Sequence, residues 1–174
     1  MSEEYAEHNF TLIIEGDVEA KMDELFEAGC DDATFGSVDG VHYGEFDREA
    51  ASFAEALASA IAAVESVEGL RVRRIEPEDL VTAAEIATRL RRSRESVRLL
   101  IAGRRRRAGD VFPAPISHAR QRNRLWRWSE VARWAGEISE SEMAHARVVA
   151  ATNAALELRS LNPDDGERLI ALSQ

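Results

Sequence analysis

The stretch RLRRSRESVRLLIAGRRRRAGD, Arg89 to Asp110, gathers arginines with few acids to balance them. A guanidinium is permanently charged and carries planar, forked donors, so its chemistry is recognition rather than proton transfer. It binds phosphate oxygens or the O6/N7 edge of guanine. Fourteen basic residues, all arginine, stand between positions 81 and 137 against five acids, a balance of +9. The first seventy residues hold only Lys21 and Arg48 against eighteen acids, a balance of −16, so the overall −10 conceals an electrically split chain. Side chains suited to catalysis lack arrangement. Cys30 stands beside Asp31 and Asp32 with no base in a local motif, and reads as an inert thiol. His8, His42, His118 and His145 show no i,i+4 pairing, so no metal site is expected. Phe46-Asp47-Arg48-Glu49 reads as a strand end leading into a helix cap. There is no glycine-rich phosphate loop, and no carboxylate cluster among the arginines. An enzyme, a nuclease or recombinase subunit included, is therefore not expected, and neither is a cofactor.

The totals set outer bounds. A chain of 174 residues with 45% hydrophobic content suits one domain or two small ones. No run of about 18 apolar residues occurs, so no membrane span is expected. The start, MSEEYAEHNF, is acidic and lacks an apolar signal region, so a secretory leader is not expected and cytoplasmic residence is. A single cysteine permits no internal disulfide.

The elements that must position these groups follow from local patterns. Residues 1–8 read as an acidic tail, and 9–16 as a β-branched strand. Residues 18–29 predict a helix with Met22, Leu25 and Phe26 on one side and Gly29 at its end. Residues 32–46 predict two strands about Asp39-Gly40, weakened by Gly36, Gly40 and Gly44. Ser52 and Glu55 predict a capping box for a helix carrying Phe53, Ala56, Leu57, Ala60, Ile61 and Val64. Residues 70–77 alternate as an edge-like strand. This βαββαβ order predicts an α+β fold, with a ferredoxin-like domain over 9–77. A junction at 77–80 follows, then two short helices, 82–90 capped by Thr82 and Glu85, and 94–102 capped by Ser93 and closed by Gly103. A strand at 124–128, a helix capped by Ser129, and C-terminal helices over 138–174 complete the order. These last are a long one at 140–160, opened by Ser139 and Glu142, and another at 164–172 behind Asn162-Pro163.

Ile86, Ala87 and Leu90 are spaced to pack on Val97, Leu100 and Ile101, the pattern of a helix-turn-helix whose second helix enters the DNA major groove. The turn departs from that pattern in one place, with Arg91 where glycine is usual. Beyond it, Phe112, Pro113, Pro115, Trp126, Glu130, Val131 and Trp134 match a Phe-Pro-x-Pro wing, a tryptophan-bearing strand and a Glu-Val-x-x-Trp helix. Residues 80–137 thereby resemble the winged helix-turn-helix of the MerR superfamily, particularly its small excisionase and AlpA-type regulators from bacteria and phages. The resemblance implies DNA binding and control of transcription or recombination.

On that reading Arg94, Ser96 and Arg98 lie on the open face of the second helix. Arg94 and Arg98 reach guanine, or else pair with phosphate or Glu95; Glu95 itself is a helix N-terminal charge or a partner for cytosine. Thr82 and Ser93 accompany them as contacts, Arg104, Arg105, Arg106 and Arg107 bind phosphates, and Arg120, Arg122 and Arg124 line the wing. Trp126, Trp128 and Trp134 are expected in the core rather than as stacking platforms. Double-stranded DNA is the expected partner, with a homodimer formed through the acidic N-terminal domain or the helix 140–160, where Met143, Ala146, Val149, Ala150 and Leu156 either self-associate or pack on the chain itself. The alternative is an antitoxin-type protein whose N-terminal domain binds a toxin while the winged helix autoregulates.

Overall fold

A computed structural model describes residues 5–104, 111–117 and 124–161. The chain is a mixed α+β protein. In order it forms β1 (Ala6–Glu15), a single 3-10 turn (Glu19–Lys21), α1 (Met22–Glu27), β2 (Ala33–Val38), β3 (Val41–Ala50), α2 (Phe53–Ser66) and β4 (Arg71–Glu76). Then come β5 (Leu80–Thr82), α3 (Ala83–Arg89), α4 (Arg94–Ile101), β6 (Leu125–Arg127), α5 (Trp128–Ala135) and α6 (Glu140–Ser160). The described residues divide into two compact units, 5–77 with 148–161, and those within 78–147.

In the first unit four antiparallel strands lie in the order β2-β3-β1-β4. Phe10, Leu12 and Ile14 of β1 alternate into the core, as do Gly44, Phe46, Arg48 and Ala50 of β3, so one sheet face is dry and the other wetter. Leu25, Leu57, Ala60 and Val64 from the helices complete that core, each large side chain contributing about 1.5–3 kcal/mol of burial. Asp39 (φ 54°) and Gly40 (φ 79°) are both left-handed, which makes the two-residue turn of a tight hairpin. Of the glycines expected to weaken these strands, Gly36 and Gly44 are covered by Tyr43 and Phe35, while Gly40 sits in the exposed turn. Gly44 faces Phe35 across the ladder, and a Cβ there would lie 2.7 Å from its ring.

Several expectations require correction. The acidic tail does not run to residue 8, because Ala6, Glu7 and His8 pair with Ala50, Glu49 and Arg48 as the start of β1. The helix expected over 18–29 begins as the 3-10 turn and buries Leu25 alone, leaving Met22 45% and Phe26 67% exposed. In β4 simple alternation would place Val72 and Ile75 on opposite faces, yet both are buried. The pairing shifts between Ile13 and Ile14, so β4 carries an extra residue there and the bulge turns both inward.

Arg48 lies inside this unit. Its Nε and Nη2 donate to the two carboxylate oxygens of Asp32 at 2.7 and 2.8 Å, Nη2 also to the Gly29 carbonyl at 2.6 Å, and Nη1 to Ser59 Oγ at 3.2 Å. Burial pushes the neighbouring Cys30 thiol up against the opposing pull of Arg48.

The later part of α6 belongs to this unit, so the described residues of the expected 138–174 extension are not a separate appendage. Val149 and Leu156, two of the five residues offered for self-association, join its core. Asn153 Oδ1 accepts from the Ile75 N–H at 2.7 Å and its Nδ2 donates to the Ile75 carbonyl at 3.0 Å, which satisfies the outer edge of β4 as a neighbouring strand would. Arg159 grips Glu65 bidentately at 2.9 and 2.6 Å. The helix expected over 164–172, with Asn162-Pro163, lies outside the described residues.

Among the described residues no helix is long and apolar enough to cross a membrane.

Candidate nucleic-acid interface

The second unit is assembled from caps readable in the chain and one contact that is not. Thr82 Oγ accepts from the Glu85 N–H at 3.3 Å, while the Glu85 carboxylate takes the Thr82 N–H and hydroxyl, each at 2.7 Å. Those hydrogen bonds hold the Glu85 carboxyl below the ordinary glutamate value. The cap fixes the start of α3, whose Ile86, Ala87 and Leu90 pack with Val97 of α4 and with Val81, Trp126 and Val131.

Between α3 and α4 the chain reverses at Arg91, which adopts φ 49°. Arg91 N–H donates to the Thr88 carbonyl at 3.1 Å and Arg92 N–H to the Ala87 carbonyl at 2.9 Å, the hydrogen-bond pair of a glycine-type helix stop. The backbone thus takes the left-handed conformation at a non-glycine residue, at a cost of about 1 kcal/mol. Ser93 Oγ then accepts from the Ser96 N–H at 3.1 Å and starts α4. Gly103, at φ 68°, ends it.

The two helices leave α4 with Val97 and Leu100 buried, and Arg94, Glu95 and Arg98 outward; Ser96 is half-buried. Arg98 Nε and Nη2 donate to Glu95 Oε2 and Oε1 at 2.8 and 2.7 Å, and both side chains are 62% exposed. This ion pair keeps the Glu95 carboxyl below its ordinary value and the Arg98 guanidinium above its own.

The segment before β6, and β6 itself, supply the third wall. Ile116 N–H donates to the Leu125 carbonyl and Leu125 N–H to Ser117 Oγ, both at 2.8 Å. Trp126, fully buried, donates its indole N–H to the Pro113 carbonyl at 3.1 Å, so the Phe-Pro-x-Pro segment holds the tryptophan strand. Phe112 meets Trp134 edge to face at 5.0 Å. Trp128 is half-buried under the Arg89 guanidinium, 5.1 Å above its ring. All three tryptophans pack within the unit.

What the chain concealed is Asp79. Its Oδ1 accepts from the Ser129 N–H at 2.7 Å, its Oδ2 from Ser129 Oγ at 2.8 Å, and its carbonyl from the Trp128 N–H at 2.6 Å. Ser129 is therefore not the cap of α5. The helix begins one residue earlier, and the buried carboxylate of Asp79 meets its positive end instead. Arg127 stands 3.6 Å from the same carboxylate. With β5 paired to β6 from Leu80↔Arg127 to Thr82↔Leu125, Asp79 pins the start of α3 beside β6.

The result is a cleft of about 420 Å³ lined by Thr82, Ala83, Ala84, Arg94, Arg98, Ile101, Arg124 and Trp126. Four residues picked out from the sequence thus share one concave surface: Thr82, Arg94, Arg98 and Arg124. The Thr82 hydroxyl is already committed to its cap. Arg124 lies 5.6 Å over the Trp126 ring, and neither it nor Arg94 has an ion-pair partner among the described residues. Arg104 is exposed just past α4. Arg105, Arg106, Arg107, Arg120 and Arg122 lie outside the described residues. Searches against protein-family models, curated proteins and solved structures found no match to this chain.

Proposed function

We propose that the chain is a sequence-specific DNA-binding regulator, with residues 80–137 acting as a winged helix-turn-helix of the kind found in MerR-type excisionase regulators. The observation that carries this reading is the cleft, whose lining brings Arg94, Arg98 and Arg124 together with the apolar Ala83, Ala84 and Ile101. Arginines beside such an apolar surface suit a nucleic-acid strand, with α4 presented to the major groove and the wing arginines to the backbone. Residues 5–77, with the strand order β2-β3-β1-β4, we read as a ferredoxin-like domain. Its acidic surface is repelled by phosphate and turns to protein instead.

A homodimer is part of the proposal, because one short recognition helix buries too little DNA for tight specificity. The open edge of β2 supports it, since the opposite edge of the sheet is occupied by Asn153. A second reading, the antitoxin type, draws on exposed Met22, Phe26 and Val38, apolar groups on an acidic unit that suit a basic protein partner.

Selection of bound fragments from a random duplex pool, followed by salt titration on the winner, tests the proposal. The expected result is one enriched site, with log K falling by about 0.9 per phosphate neutralised as log salt rises. No enrichment, or binding indifferent to salt, overturns it. A palindromic site reports a dimer.

A further inference from the structure

The three arginines of the cleft are not equivalent. We propose that Glu95 holds Arg98 as the reader of a guanine base edge, while Arg94 and Arg124 take backbone phosphates; this rests on the DNA-binding reading above.

A guanidinium has five N–H donors. Arg98 spends the Nε–H and one Nη2–H on Glu95, in a side-on bidentate pair. The remaining Nη2–H and an Nη1–H form the end of the fork, parallel and without a partner among the described residues, the spacing that meets O6 and N7 of guanine. The carboxylate thus orients the fork instead of consuming it, and it restricts a side chain that otherwise samples many rotamers.

Charge decides which acceptor the fork prefers. The Glu95–Arg98 pair is neutral as a unit, so docking it on a phosphate releases little counterion, and the Glu95 carboxylate itself repels phosphate oxygens. A guanine edge is uncharged and imposes no such repulsion. Arg94 and Arg124 carry full charge on the same cleft with no acid paired to them among the described residues, and are the groups a phosphate attracts. Position agrees with this division. Glu95 and Arg98 are three apart on the outward side of α4, away from buried Val97 and Leu100, where the helix presents side chains to a groove.

The test uses the full-length chain and the duplex enriched from the random pool, with fluorescence anisotropy as readout. Each guanine is replaced in turn by 7-deazaguanine, which removes N7, or by adenine. For the wild type, one guanine is expected to lose about 10-fold in affinity on replacement. Arg98→Ala abolishes that loss at that guanine only. Glu95→Gln tightens binding to all duplexes, since a negative charge is gone, yet shrinks the preference at the same guanine to about 3-fold or less, and steepens the salt slope as the freed Arg98 turns to phosphate. Arg94→Ala or Arg124→Ala lowers the salt slope by about 1 and leaves the preference intact. The proposal is overturned if Glu95→Gln leaves the guanine preference at its wild-type size, or if Arg98→Ala weakens every duplex by one common factor. Failure of the wild type to enrich any duplex overturns the DNA-binding reading itself, a different outcome from either. Tryptophan emission at zero and high urea checks that each variant is folded.

Discussion

Asp79 offers the sharpest quantitative test of how the second unit is held together. Its side chain is buried, and it answers two donors of Ser129 that are buried with it. In Asp79→Ala both donors lose their acceptor inside the protein, where an orphaned polar group costs about 1–3 kcal/mol. The favourable charge at the start of α5 also goes, worth about 0.3–1 kcal/mol. Together these give a loss of about 3–4 kcal/mol. Asp79→Asn keeps an acceptor for the Ser129 N–H, and the Ser129 hydroxyl can turn to accept from the new amide, so that variant loses only about 1 kcal/mol. Urea unfolding followed by tryptophan emission is the right assay, because Trp126, Trp128 and Trp134 all lie within this unit and no tryptophan lies in the first. With a slope of about 1.5 kcal/mol per molar urea, the alanine variant shifts the midpoint down by about 2 M or more and the asparagine variant by well under 1 M. Equal shifts from the two, or an alanine shift below about 0.5 M, refute the role given to this carboxylate.

Arg48→Ala leaves Asp32 and the Gly29 carbonyl without their cation and is expected to cost about 3 kcal/mol; unfolding followed by far-ultraviolet circular dichroism reads this in the first unit, and an unchanged midpoint contradicts it. At the turn before α4, Arg91→Gly recovers up to about 1 kcal/mol of left-handed backbone cost, less the freedom glycine adds to the unfolded chain, whereas Arg91→Val lowers the tryptophan-monitored midpoint. The Glu85 carboxyl is lowered by the Thr82 N–H and hydroxyl, so its contribution is present above the ordinary glutamate value, about 4.3, and is lost as pH falls below it. Glu85→Gln should therefore flatten the acid limb of a thermal midpoint against pH, by a small amount because the group is solvent-exposed. Alanine at Arg104 to Arg107 should weaken all duplexes by a similar factor, as phosphate contacts do; a selective loss at one base pair would assign those residues a different role.

Much of the second unit was legible because its signals are short-ranged. Thr82 with Glu85, Ser93 with Ser96, and Ser139 with Glu142 each close a hydrogen bond within one helical turn, so the neighbouring residues suffice to announce them. The irregular turn was legible too, since Arg91 stands where the backbone demands a left-handed residue. Ser129 misled for the same reason: it has the composition of a cap, but its partner stands 50 residues earlier in the chain, and nothing near Ser129 hints at it. In the first unit the alternation of β1 and β3 was plain, while the bulge that turns Val72 and Ile75 to one side depends on how β4 slides against β1, which no pattern within β4 records.

The sequence by itself determined those starts, stops and turns that are closed by neighbouring residues, and that a cationic block follows an acidic one, because such caps, glycine stops and charge are properties of adjacent residues. Only the tertiary structure decided which side chains meet: Asn153 on the edge of β4 across 78 residues, Arg159 on Glu65 across 94, and Arg94, Arg98 and Arg124 around one cleft. Those encounters depend on closing long loops and filling a shared core, a balance of chain entropy against burial that is settled over a whole unit and not within any one segment.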